Sequence, residues 1–240
     1  MATTRPGRIV ALAIAAAGCQ GGKSEPPAGT AGSAASPVAV ATHVQLPRSP
    51  DAPLSYATRP IDRDALARLA AIEFPDFERQ GSHATESTAR VRHVTRTRPI
   101  LGVTVELTRC AKPCPAISTA RWVARRDEVI ELALPATLVR RPDTRFELGG
   151  VTVAGVPALY SYALGSTGAS DTTAAQGQPS ETYVDSYTLD YRDGVTQFHV
   201  AASYLDDAVG GVDRLLAIAP PEDLQKLATA FLSFYLHECQ

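Results

Sequence analysis

The chain has 240 residues, 45% of them apolar, which is enough for a buried core and argues against a wholly disordered chain. Charged residues make up 20% and the formal net charge is −2, so nothing electrostatic points to nucleic acid as a partner. The basic residues are 20 Arg and 3 Lys, a bias of composition and not of function.

The first element is an export signal. Arg5 and Arg8 precede an apolar run over residues 9–17 (IVALAIAAA), and no acidic residue occurs before Glu25. A membrane-spanning helix needs about 20 apolar residues, so the run is too short to stay as an anchor. A secretory leader needs only about 7–15. The run ends in Ala16-Ala17-Gly18-Cys19, which resembles the lipobox of bacterial lipoproteins. Ala16 stands where that pattern usually has Leu. The resemblance implies cleavage before Cys19 and a lipid, palmitate included, on its thiol. Gln20 in place of Asp favours the outer membrane by the sorting rule of enteric bacteria. The expected location is therefore the cell envelope, facing the periplasm or the cell surface.

Residues 1–18 thus read as a signal peptide and residues 19–57 as a lipid-anchored flexible linker. The linker is rich in Gly, Ser, Ala and Pro and lacks apolar periodicity. Residues 58–240 are expected to form a single globular domain.

In that domain Asp62 can cap a first helix that carries Leu66, Leu69, Ala70 and Phe74 and stops at Pro75. Residues 79–98 hold five Arg and two His with no interleaved aromatic, and read as a solvated, poorly ordered or edge segment. Residues 101–107 alternate as a strand. Residues 115–126, with Trp122, can form a helix after Pro115, and residues 128–134 a further strand. Phe146 and Leu148 form a strand-like run, with Gly149-Gly150 as a turn signal. A second run follows over 151–164, where Gly155 and Pro157 mark a bulge or break. Residues 165–180 read as a polar loop. A hairpin then turns at Asp193-Gly194, its first strand carrying Tyr183, Tyr187, Leu189 and Tyr191 and its second Phe198, Val200, Ala202 and Tyr204. Residues 211–218 form a short helix. Pro221 opens the last one, with Leu224, Leu227, Ala228, Phe231, Leu232 and Tyr235 on its apolar face.

These patterns predict an α+β fold: an antiparallel sheet of five to seven strands flanked by helices, an α/β sandwich, preceded by a disordered tether. Residues 151–234 are similar in layout to the PsbP-like α/β sandwich family. Gly155-Val-Pro-Ala158 opening a strand, the hairpin from Tyr183 through Asp193-Gly194 to Tyr204, and the final Phe231-Leu-Ser-Phe234 carry the likeness, over about a third of the chain. The resemblance implies a binding or assembly role without a catalytic site. It transfers no functional residue.

With Cys19 taken by lipid, Cys110, Cys114 and Cys239 remain. Export to an oxidising compartment favours a Cys110–Cys114 disulfide, with Cys239 free or competing for either partner. The spacing is C-x3-C, one residue longer than a thioredoxin-like motif, so the pair is expected to be structural. No nucleophile elbow, phosphate loop or zinc motif occurs, and no catalytic residue, metal ligand or cofactor site is assigned. His199 falls on the expected solvent face, with Asp206 and Asp207 near it only in sequence. Tyr183, Tyr187 and Tyr191 are the candidate ligand cleft, with sheet core as the competing reading. The expected protein is a lipid-anchored envelope protein, non-enzymatic, that binds a partner protein or a small ligand. The alternatives are an envelope hydrolase whose site converges only in three dimensions and a purely structural envelope component.

Overall fold

The computed structural model describes residues 44–54, 61–114, 118, 120, 145–167, 182–206 and 212–240, all within one unit, Val40–Gln240. The leader, Cys19, the linker up to residue 43, the helix expected at 115–126 with Trp122, the strand expected at 128–134 and the loop from 168 lie outside the described residues.

Among the described residues seven strands form one antiparallel sheet: β1 (Phe77–Ala84), β2 (Thr88–Thr95), β3 (Leu101–Arg109), β4 (Arg145–Val153), β5 (Val156–Thr167), β6 (Thr182–Arg192) and β7 (Thr196–Tyr204). Their order across the sheet is β1-β2-β3-β7-β6-β5-β4. With α1 (Arg63–Ala70), α2 (Val212–Ile218) and α3 (Pro221–Glu238), the fold is the expected α+β sandwich.

Alternation builds the core. Ala89, Leu107, Phe198 and Tyr191 stand opposite one another across β2, β3, β7 and β6. So do Val91, Val105, Val200 and Leu189, and then His93, Val103, Ala202 and Tyr187. All twelve are buried, because they share the parity that faces the helices. α3 contributes Leu224, Leu227, Ala228, Phe231, Leu232, Tyr235 and Leu236 to the same cluster. The spacing of three and four puts them on one stripe. Phe231 is the hub, with ring centroids 4.9 Å from Phe74, 5.2 Å from Phe77 and 5.3 Å from His93. α1 starts where expected: Asp62 accepts a hydrogen bond from the Ala65 amide at 2.6 Å. It ends at Ala70, so Phe74 packs from the loop beyond it.

Three expectations need correction. Residues 79–98 are mostly β1 and β2, and only β1 is an edge strand. In β2 the arginines Arg90 and Arg92 point away from the helices, while Ala89, Val91 and His93 point inward. Gly149-Gly150 is not a turn but lies inside β4, paired with Tyr160 and Leu159. A Cβ on Gly149 would sit 2.5 Å from the Tyr160 ring, so glycine here makes room for an aromatic lying over the strand. The actual turn is Ala154-Gly155, both with positive φ (51° and 82°). Finally, part of the expected linker belongs to the domain. Val44, Leu46 and Leu54 pack on the core, Ser49 Oγ donates to Ser233 Oγ at 2.7 Å, and the Leu54 amide donates to the Ala154 carbonyl at 3.0 Å. Residues 44–54 thus form a strap over the helical layer, where the aliphatic positions bury surface that a free linker would leave in water.

Cys110 and Cys114 form the expected disulfide, with Cα atoms 5.9 Å apart. The Cys110 amide donates to the Val195 carbonyl at 2.9 Å and the Cys114 amide to the Gly194 carbonyl at 3.1 Å, which ties the small loop to the β6–β7 turn. In the turn, Asp193 Oδ1 accepts from the amides of Val195 (3.0 Å) and Thr196 (2.8 Å). Replacing both cysteines by Ala should cost about 2 kcal/mol of stability. Urea unfolding of oxidised wild type against the double variant measures it, and an unchanged midpoint would contradict it. Cys239 is a free thiol whose pKa is pushed up to about 12 by burial, then by Glu238 and Asp193. It is a poor nucleophile.

Candidate functional site

The cleft expected from Tyr183, Tyr187 and Tyr191 is not formed by that stripe. Tyr187 and Tyr191 are core residues, 4% and 1% exposed, because their parity points them at the helices. The side chain of Tyr183 lies outside the described residues. Tyr191 Oη donates to Asp193 Oδ2 at 3.1 Å and serves the hairpin turn.

Tyr187 instead belongs to a different group of polar residues. Its ring stacks on Tyr160, with centroids 5.6 Å apart and planes 6° from parallel. Tyr187 stands opposite Tyr162, and Tyr162 opposite Glu147. Two residues before Tyr187, on the same face, is Asp185, opposite Leu164 and then Arg145. Two rows thus run from β4 to β6, from exposed Glu147 to buried Tyr162 and Tyr187 and from exposed Arg145 to buried Leu164 and Asp185, with half-buried Tyr160 in the next row on the same face.

Asp185 is 1% exposed, and neither carboxylate oxygen has a hydrogen-bond partner. Tyr162 Oη is also buried and without a partner. The Tyr162 hydroxyl is close enough to act on the carboxylate as a weak hydrogen-bond donor, though outside strict hydrogen-bond geometry. Burial pushes the Asp185 carboxyl up to about 6, and the Tyr162 hydroxyl offsets part of that rise. Burial, then the Asp185 charge, pushes the Tyr162 hydroxyl well above the ordinary phenol range. Burial and Tyr160 do the same for Tyr187. Buried polar atoms in folded proteins are nearly always paired. Three unpaired oxygens side by side therefore mark this place out. A carboxylate beside tyrosines can accept donors, balance a positive charge and offer ring faces to it.

A second polar group lies on the opposite face of the sheet. His83, Arg90, Glu106, His199 and Asp190 are successive cross-strand neighbours. His199 Nδ1 is 2.9 Å from Asp190 Oδ1. The partner is thus across the hairpin and not Asp206, whose carboxylate accepts from the Ile100 amide at 3.1 Å. The Asp190 bond raises the His199 pKa, burial opposes it, and the Asp190 and Glu106 charges add to the rise. Arg90 opposite Glu106 and His199 bonded to Asp190 stabilise the sheet as cross-strand pairs.

A third buried group is His93, 0% exposed. Its Nε2 is 3.2 Å from Tyr235 Oη, and its Nδ1 has no partner. Burial, then the Arg79 charge, pushes its pKa down to about 4, so the ring is neutral. With Phe74 and Phe231 packed around it, His93 is a core residue.

Among the described residues no group of three His, Cys, Asp or Glu could hold a metal ion, and no helix is long and apolar enough to cross a membrane. The sequence places Tyr160 and Tyr162 on one strand face without assigning them to a site, and Asp185 was not singled out. The signal was present: Asp185 occupies the parity of Tyr183, Tyr187, Leu189 and Tyr191, a carboxylate on an apolar face. No protein-family model, curated protein or solved structure matches the chain.

Proposed function

We propose that this is a lipid-anchored protein of the bacterial cell envelope, non-enzymatic, whose domain binds a small ligand beside Asp185. The carrying observation is the buried carboxylate of Asp185, with both oxygens unpartnered next to the unpartnered hydroxyl of Tyr162. Leaving a buried polar group unpaired costs about 1–3 kcal/mol, more when charged, and a bound ligand that supplies donors removes that cost. The α/β sandwich supports a binding role in the manner of the PsbP-like family that its second half resembles.

Native mass spectrometry of the full protein purified from its own membranes tests the reading. A non-covalent adduct on wild type, absent from Asp185→Asn, is expected. A bare wild type, identical in mass to the same protein after unfolding and refolding, would contradict it.

The anchor rests on residues 9–19. A wild-type chain expressed with labelled palmitate should carry the label in the membrane fraction, whereas Cys19→Ala should carry none. Equal labelling of both would remove Cys19 as the lipid site.

The Asp190–His199 pair favours the second reading, an envelope hydrolase. A carboxylate on Nδ1 orients the imidazole and leaves Nε2 to take a proton from water. That reading expects an esterase or amidase activity that His199→Gln abolishes. The absence of any hydrolysis difference between the two proteins would leave the pair as a cross-strand contact.

A further inference from the structure

We infer that the ligand taken up beside Asp185 is an organic cation, an ammonium group carried on a small molecule. This rests on the binding reading above and names its ligand class. Three features support it. The first is charge. Asp185 is the acid within the cluster, Glu147 stands at its exposed rim across β4, and among the described residues Arg145 is the basic residue that acts on Tyr162. Burying an anionic ligand against Asp185 would place like charges together with no screening water.

The second is the company of the carboxylate. Tyr162 lies beside it, and Tyr187 follows on the same strand face, stacked on Tyr160. Tyrosine faces attract cations, and the attraction is stronger where water is excluded. Tyr162 beside the carboxylate, with Tyr187 opposite Tyr162, suits an alkylammonium better than a metal ion, which needs several hard oxygen or nitrogen ligands. Among the described residues no such ligand set occurs.

The third is the approach. From Asp185 and Tyr187 the rows cross buried Leu164 and Tyr162 to exposed Arg145 and Glu147 on edge strand β4, and half-buried Tyr160 flanks them on the same face. Gly149 removes the one side chain that would displace the Tyr160 ring from its place over β4. The Tyr162 hydroxyl then accepts an N–H from a primary ammonium, and the carboxylate of Asp185 balances the charge.

The test uses isosteres that differ in charge, on the mature chain at neutral pH. Choline and n-butylammonium should raise the unfolding temperature saturably, while 3,3-dimethylbutanol, the uncharged analogue of choline, and sodium butyrate should not. A ligand present at a hundred times its dissociation constant shifts the folding equilibrium about a hundredfold. Asp185→Asn should weaken cation binding at least tenfold while remaining folded, and Tyr160→Ala should weaken it severalfold. Equal stabilisation by 3,3-dimethylbutanol would overturn the cation class and keep the binding reading. Response to Ca2+ or Zn2+ in place of the ammonium probes would overturn it in favour of a metal. No response to any probe would overturn it as well. If the adduct by native mass spectrometry were then also missing, the binding reading would fall with it.

Discussion

Asp185→Asn should stabilise the free domain at pH 7.5 by about 2–3 kcal/mol. The folded carboxyl titrates near pH 6, against an ordinary aspartate value near 4 in the unfolded chain. Each unit of difference is worth about 1.4 kcal/mol. The folded pKa is the raised one, so the native state holds its proton more tightly. Stability from this group is therefore fully present below pH 4 and is lost as pH rises through 6. Asparagine has nothing to ionise, so its advantage should be large at pH 7.5 and vanish near pH 4. Urea unfolding at both pH values measures it. A destabilised Asp185→Asn at pH 7.5 would show that the carboxylate has a partner in the folded protein. A residue that weakens its own fold by this much is more economically explained by a ligand than by packing, since stability and binding geometry are commonly in conflict.

His93 should produce the opposite slope, of about 3 kcal/mol. Its folded pKa is about 4 and its unfolded value 6.5. Here the folded value is depressed, so the unfolded chain binds the proton first. Stability is fully present above pH 6.5 and is lost as pH falls toward 4. The two groups therefore nearly cancel in wild type between pH 6.5 and 4. Asp185→Asn exposes the His93 slope, and its stability should fall by about 3 kcal/mol on acidification relative to wild type. His93→Gln, neutral throughout, exposes the Asp185 slope and should gain by a similar amount. The group that acts on Asp185 is Tyr162, which Glu147 and Arg145 act on in turn, and those that act on His93 are Tyr235 and Arg79. Parallel slopes in the two variants would show that one of the two burials is misjudged.

The hairpin at Asp193-Gly194, α1 with its Asp62 cap, β3 and α3 were legible because each rests on local rules of turn chemistry, capping or periodicity. The disulfide was legible from spacing and compartment. β2 was not. Its outward Arg90 and Arg92 dominate its composition, while its inward set, Ala89, Val91, His93 and Thr95, is only weakly apolar. The pattern becomes visible only once β3 supplies Leu107, Val105 and Val103 opposite. Gly149-Gly150 reads as a turn because glycine usually marks one. Here it answers the bulk of Tyr160, from a partner strand that local sequence cannot identify. The strap over residues 44–54 shares its composition with the linker before it. Its docking depends on the Ser233 and Ala154 contacts, which are distant in sequence.

The site shows the same division. A tyrosine stripe on one strand was legible, but which residues stand beside it is a matter of register. The register sets Tyr162 opposite Tyr187 and sends Tyr191 to the turn. It also pairs His199 with Asp190, where sequence proximity had offered Asp206.

The central claim is that Asp185 is a buried carboxylate without a protein partner, kept for a ligand. The most direct measurement is a 13C NMR titration of its side-chain carboxyl in ligand-free protein. A midpoint near pH 6 is predicted, moving down when a saturating ammonium ligand is added. A midpoint at or below the ordinary aspartate value, unmoved by ligand, would contradict the claim.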